Sequence, residues 1–311
     1  MHKRFTPTAL LFLTLPPILW AGNAIVGRLM DGVIPPMTLN LLRWVLALLI
    51  LTPLAWRFIK PHQAALRAGF WRFSALGFFG MGCYNSFQYL ALKTSSPINV
   101  TLVAASIPVW MILVGRLFFA AEIKMRNLVG ASISMLGVLL VLSRGELANL
   151  SQIKPVPGDG WIIVASIAWA AYSWLLAKPT EPQKSVAQDW RVYLWVQIAF
   201  GIVWSSGFTL LEWIMPMVSG EAPLIVVWGW PLWAALAFVS VGPALVAYRC
   251  WGLGVGHVGP SVAAIFTNLI PLFTAVISTV MLGDPPRWYH VVAFLLILSG
   301  IWVSSRTKPT A

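Results

Sequence analysis

Apolar positions along this chain gather in long runs bounded by turn residues or charges. A bilayer core about 30 Å thick takes roughly 20 residues of helix at about 1.5 Å each, so runs of that length predict membrane-spanning helices. Ten such runs occur: Thr8 to Met30, Pro36 to Phe58, Trp71 to Leu92, Ile98 to Phe119, Asn127 to Ser143, Gly160 to Lys178, Trp190 to Met215, Pro231 to Leu253, Pro260 to Leu282, and Trp288 to Ser304. The first follows a short basic tail, but it is longer than a signal-peptide core and lacks a small-residue cleavage site, so it counts as a helix. The predicted fold class is an all-α integral membrane protein with ten transmembrane helices.

Sliding the chain against itself gives a register in which Pro97 meets Pro260, Pro108 meets Pro271 and Gly137 meets Gly300, each pair 163 residues apart (260 − 97, 271 − 108, 300 − 137). In the same register Ala121-Glu122 falls near Gly283-Asp284. A weaker register lays Trp20-Ala21-Gly22-Asn23 over Trp169-Ala170-Ala171-Tyr172. Two five-helix halves follow, residues 1–153 and 154–311. An odd number of crossings makes the second half enter from the opposite side, which is an inverted repeat around a central cavity. Such halves can exchange slightly different conformations and open alternately to either side, which is the physical case for a carrier. Pro97 and Pro260 suit first-turn positions, whereas Pro108 and Pro271 fall inside helices four and nine and are the candidate gating residues, because they bend or loosen a helix.

Composition narrows the class. The 311 residues are 59% hydrophobic and only 10% charged, with a mean hydropathy of +0.81, and no water-soluble fold of this size hides that much apolar surface. The net charge of +12 does not point to nucleic acid, since the basic residues stand singly between apolar spans. It reads instead as a topology signal. With the amino terminus in the cytoplasm, 15 of the 21 Lys and Arg lie inside and only Arg28, Lys93, Arg144, Lys154 and Arg287 outside, which puts both termini in the cytoplasm. The outer loop from Trp213 to Trp230 carries Glu221 and interface tryptophans, and most of the 18 Trp read as such anchors. Cys83 and Cys250 sit in apolar runs and make neither a disulfide framework nor a metal pair. No motif implies a cofactor.

The stretch Tyr89-Leu90-Ala91-Leu92-Lys93-Thr94-Ser95-Ser96-Pro97 leads to Pro108, Glu122, Gly130 to Gly137 and Arg144. With the second-half residues Tyr248, Gly256, Pro260, Pro271, Asp284 and Gly300, it resembles the signature of the EamA-type drug/metabolite transporter superfamily. The likeness covers nearly the whole chain. It implies a bacterial inner-membrane exporter, and members similar in length and aromatic content include an amino-acid exporter. Amino acids, aromatic ones among them, are therefore the substrate class that the resemblance implies.

A site between the halves calls for polar or aromatic side chains at mid-helix positions. Helix one offers Trp20, Asn23 and Gly27 on one face, and helix six offers Trp169, Tyr172 and Ser173 on the pseudo-equivalent face. Helix three adds Tyr84 and Gln88 at i, i+4 with Asn85 beside them, and helix eight adds Tyr248 and Trp251. Helices four and nine contribute Thr101, Ser106, Thr267 and Asn268. The candidate binding set is Trp20, Asn23, Tyr84, Gln88, Thr101, Trp169, Tyr172, Ser173, Tyr248 and Asn268. Amides both donate and accept, and aromatic faces attract cations and stack on apolar rings, so together they suit a zwitterion. Hydrogen bonding between helices accounts for any single Ser, Thr or Asn equally well.

All nine acids fall in loops or at helix ends, which argues for facilitated diffusion or exchange over proton or sodium pumping. Arg43 is the one charge well inside a span; it either holds a substrate carboxylate or reaches backbone carbonyls and the interface, and the structural role is favoured. Gly252, Gly254 and Gly256 follow a membrane helix and read as a hinge into helix nine, not as a nucleotide fingerprint. The four scattered histidines offer no catalytic or metal spacing, so a membrane enzyme is disfavoured; a channel is disfavoured by the paired aromatic faces. The working expectation is a monomer in the lipid bilayer acting on a small organic molecule.

Overall fold

Lipid offers the backbone no hydrogen-bond partner, so each long apolar run satisfies its own N–H and C=O groups by coiling. The computed structural model describes residues 6–95, 100, 103–146, 148–149, 156–220, 222–282 and 287–305. Its main helices are α1 (Pro7–Leu29), α2 (Pro36–Ile59), α3 (residues 70–94), α4 (Ile107–Phe119), α5 (Met125–Leu142), α6 (Pro157–Ala177), α7 (Trp190–Ser219), α8 (Trp230–Val258), α9 (residues 260–282) and α10 (Trp288–Ser305). Short helices Gln63–Ala68 and Glu181–Ala187 lead into α3 and α7.

Among the described residues, eight of these helices are long and apolar enough to cross a membrane; α4 is apolar but shorter. The two exceptions, α3 and α4, have physical causes. The C-terminal part of α3, Tyr84–Thr94, carries Asn85, Ser86, Gln88 and Lys93, which dilute its apolar character. The predicted helix 98–119 is broken by a turn at Ala105 and Ser106, so Pro108 stands in the first turn of α4 and not inside a continuous helix, where its missing N–H costs nothing.

Helices α3 and α8 each contain a π-helical segment, Gly77–Cys83 and Ser240–Val246. The two start and end 163 residues apart (240 − 77, 246 − 83), the same offset that aligns the prolines. Packing shows a matching pattern. Helix α3 lies on α6 as α8 lies on α1, α4 lies on α6 as α9 lies on α1, and α2 with α7 and α5 with α10 form the remaining pairs. Glycines set the α5–α10 spacing: a Cβ on Gly130 would lie 2.5 Å from the Gly300 carbonyl oxygen, and one on Gly300 would lie 2.4 Å from the Gly130 oxygen.

Three local expectations are corrected. Gly252, Gly254 and Gly256 are helical within α8, and Gly254 packs on Leu13; the turn into α9 is made by Gly259, whose φ of +84° suits glycine alone. Helix α7 runs on to Ser219, so Glu212 lies inside it and not at its end. Helices in a bundle this deep also draw tryptophan inward: Trp44, Trp169 and Trp251 are fully buried, although Trp56, Trp71, Trp228, Trp230 and Trp288 are exposed.

Candidate functional site

The aromatic faces of α1 and α6 meet at the centre of the bundle. Trp20 and Trp169 sit edge to face with centroids 5.1 Å apart, and Tyr84, Tyr172, Tyr248 and Trp251 surround Trp169 at 4.8, 5.2, 5.5 and 5.2 Å. Polar tips are tied off. The Trp20 Nε1 donates to the Pro243 carbonyl in the π-segment of α8 (3.2 Å), the Tyr172 hydroxyl to Gln197 Oε1 (3.1 Å), and the Trp251 Nε1 to Ser173 Oγ (3.1 Å). The exception is the Trp169 Nε1, which has no partner among the described residues although the residue is 1% exposed. These rings form a closed plug.

A π-helical segment leaves carbonyls without their regular partner, and Tyr248 uses one. Its hydroxyl donates to the Gly80 oxygen at 2.6 Å and accepts from Asn85 Nδ2 at 3.0 Å. Asn85 and Tyr248 are themselves 163 residues apart (248 − 85), the offset that also separates the two π-segments. Beside them Arg43 Nη1 donates to Asn85 Oδ1 (3.0 Å), Tyr89 Oη (3.3 Å) and Asn23 Oδ1 (3.4 Å), and the Tyr89 hydroxyl donates to Asn23 Oδ1 (3.0 Å). The partners that Arg43 finds are the Asn23, Asn85 and Tyr89 side-chain oxygens in the core, in place of the backbone carbonyls and interface expected from sequence.

Next to the plug lies a cavity of about 290 Å³, close to the lower bound of small-ligand sites at roughly 300 Å³. Its walls come from α1 (Ala24, Ile25, Arg28, Leu29), α3 (Tyr84, Gln88, Tyr89, Leu92), the chain entering α4 (Val100, Ala104, Ala105, Ile107) and α9 (Thr267, Asn268, Ile270, Pro271, Thr274). Arg28 and Leu29 are exposed at one end, while Tyr84 is shared with the plug. Asn268 donates through Nδ2 to Ser134 Oγ at 3.0 Å, and its buried Oδ1 has no partner. Backbone irregularity lines the same space: the turn at Ala105–Ser106 precedes Pro108, and the 3-10 segment Ala264–Asn268 precedes Pro271.

The structure thus brings together Trp20, Trp169, Tyr172, Ser173 and Tyr248 in the plug, and Tyr84, Gln88 and Asn268 at the cavity. Asn23 is held in the Arg43 network away from the cavity wall, and Thr101 lies outside the described residues. Sequence reasoning passed over Tyr89, Arg28 and Trp44. Tyr89 follows Asn85 by four residues, a helical signal that was available. Trp44, whose Nε1 donates to the Met81 carbonyl at 3.2 Å and whose ring lies 5.0 Å from Tyr248, gave no such signal. Among the described residues no three His, Cys, Asp or Glu are placed to hold a metal ion.

The family model described as the EamA-like transporter family matches the chain twice, over residues 7–143 and 156–306. An uncharacterized transporter of Archaeoglobus fulgidus is 26% identical over 296 residues, covering 95% of this chain and 96% of its own. The uncharacterized transporter YyaM of Bacillus subtilis is 26% identical over 250 residues, covering 79% and 76%. YetK of the same organism, also an uncharacterized transporter, is 23% identical over 283 residues, covering 91% and 82%. One crystal structure aligns over 97% of both chains with a TM-score of 0.71 at 19% identity, a likeness of fold.

Proposed function

The chain belongs to the EamA-like transporter family, and from that premise we propose that it is a ten-helix carrier exporting neutral amino acids, aromatic ones among them, and related metabolites by alternating access. In this reading residues 1–153 and 154–311 are inverted five-helix repeats, both termini lie in the cytoplasm of a bacterial cell, and the protein works in the inner membrane as a monomer. The shared offset of the two π-segments, the matched helix pairings and the double match to one family support the repeat.

One observation carries the reading: a cavity edged by Arg28 at one end is closed off at Tyr84 by a plug built from both halves. With cytoplasmic termini the Arg28 end faces outward, so the plug is the inner barrier of an outward-facing state. Gln88, Thr267 and Asn268 offer donors and acceptors beside the ring of Tyr84, a set suited to an ammonium, a carboxylate and an apolar side chain. Pro108 and Pro271 stand beside irregular backbone where the repeats can rearrange, which is the gating role proposed for them. No acid lines the cavity among the described residues, which favours facilitated diffusion or exchange.

Amino-acid flux in proteoliposomes tests this. Saturable uptake, accelerated by substrate on the far side and indifferent to a proton gradient, is the expected result. Alanine at Trp20, Asn23, Tyr84 or Trp169 should lower flux per molecule of folded protein. Wild-type flux in all four variants overturns the site, and absence of flux for every amino acid overturns the substrate class.

A further inference from the structure

Arg43 of α2 is 0% exposed and brings a cationic, five-donor guanidinium into the core. Among the described residues its charge has no counterpart: the ion pairs there are Arg28–Asp31, Lys184–Glu181 and Arg191–Asp189, and the three acceptors that Arg43 finds are neutral side chains. The ring of Trp44 lies 4.9 Å from its Cζ, a further favourable contact but a neutral one. All three hydrogen bonds leave from Nη1. Nε and Nη2 are buried and have no partner among the described residues.

Those two nitrogens form the side-on edge of the guanidinium, whose parallel N–H groups match the two oxygens of a carboxylate. A purely structural link among α1, α2 and α3 needs neither the charge nor the idle edge; a neutral amide at this position would serve Asn23, Asn85 and Tyr89 without burying unsatisfied donors. Tyr89 connects this group to the cavity, since it lines the wall and its hydroxyl accepts from Arg43 Nη1 at 3.3 Å.

We propose that Arg43 is an anion anchor, receiving the carboxylate of the transported molecule on its Nε–Nη2 edge when the Tyr89 phenol swings aside, while Asn23 and Asn85 hold Nη1 in place. This rests on the carrier reading above and adds to it the requirement for one negative charge. The bound carboxylate pairs with the buried guanidinium and offsets the cost of holding that cation away from water.

The test is binding to pure full-length protein in detergent, read as thermal stabilisation, with matched pairs of ligands: 3-phenylpropionate against 3-phenylpropionamide, and 4-methylpentanoate against its amide, plus sodium chloride alone. The wild type should prefer each carboxylate over its amide by about tenfold or more, and Arg43→Gln should bring the ratio close to one. Arg43→Lys keeps the charge and loses the fork, so it should bind carboxylates more weakly than the wild type; it decides the matter if Arg43→Gln does not fold. A carboxylate preference undiminished in either variant, stabilisation by chloride with no gain from carboxylates, or no response of the wild type to any carboxylate overturns the inference. Flux in liposomes separates the two readings: carboxylate binding lost with Arg43 but no amino-acid flux sinks the transport proposal alone, and amino-acid flux with an Arg43-independent carboxylate preference sinks the anchor alone.

Discussion

Replacing Gly300 by alanine puts the α5–α10 seam under a load that the geometry allows to be worked out. The added Cβ would lie 2.4 Å from the Gly130 carbonyl oxygen and 2.9 Å from both Cβ and N of Ser134. Ordinary contact begins at 3.4 Å, so the helices must part by 1.0 Å (3.4 − 2.4). These neighbours are backbone or Cβ atoms, so no change of rotamer relieves the clash. Parting α5 from α10 by that much also stretches the Ser304 Oγ to Asn127 Oδ1 bond of 3.0 Å beyond hydrogen-bonding range, and moving α5 strains the Asn268 to Ser134 bond of 3.0 Å. Overpacking costs about 1–3 kcal/mol and the two buried bonds about 1 kcal/mol each, against a gain of about 1 kcal/mol for alanine over glycine in a helix. The net is a loss of about 2–4 kcal/mol. Unfolding by SDS titration measures it, with Gly130→Ala as the reciprocal substitution and Gly207→Ala and Gly256→Ala as controls, since a Cβ at either control site meets nothing within 4 Å. The controls should match or exceed the wild type. A Gly300→Ala protein as stable as Gly256→Ala would refute the close-packed seam.

Other substitutions probe other joints. Tyr248→Phe removes the donor to Gly80 and strands Asn85 Nδ2, and should cost about 1–3 kcal/mol; a double-mutant cycle with Asn85→Leu that gives less than about 0.5 kcal/mol of coupling would deny the contact between α3 and α8. Glu212 accepts from the backbone N–H of Met37 and Thr38 at 2.9 Å each and from Thr38 Oγ1 at 3.0 Å, so it caps the start of α2 from α7. Glu212→Gln should lower stability by about 0.5–2 kcal/mol in the same titration, and an unchanged midpoint would count against the cap. Hydrogen bonds from the Arg191 side chain at 2.9 and 2.7 Å hold the Asp189 carboxyl below its ordinary value at the mouth of α7. The folded protein then binds this proton less readily than the unfolded chain, so the contribution is complete above the usual carboxylate range and drains away as pH falls through the lowered value. Asp189→Asn should therefore be less stable than wild type at pH 7 and approach it as the pH falls through the lowered value; a difference that persists in strong acid would point to another cause.

Much of this architecture was legible before any coordinates, because lipid imposes simple rules. A backbone that must satisfy itself becomes helix wherever about 20 apolar residues run together, and eight of the ten predicted runs reappear as long apolar helices with ends shifted by a few residues. The 163-residue offset was visible in three proline and glycine pairs and recurs in the π-segments, which no composition rule predicts. Aromatic residues at Trp20 and Trp169 announced themselves by matching positions in the two halves. What remained hidden depends on distance between helices far apart in sequence. Only the assembled bundle puts Asn85 against Tyr248, draws the rings of α1, α3, α6 and α8 into a closed plug, and leaves the cavity on the other side of Tyr84. The break before Pro108, the helical Gly252–Gly256 stretch and the inward reach of Glu212 were decided in the same way, by neighbours. Arg43 shows the division most plainly: its sequence position says that a charge lies inside the membrane, but whether that charge finds water, a carboxylate or only the neutral oxygens of Asn23, Asn85 and Tyr89 is fixed by where three helices cross. Periodicity is a property of one helix with its solvent, whereas a binding site is a property of side chains converging from several.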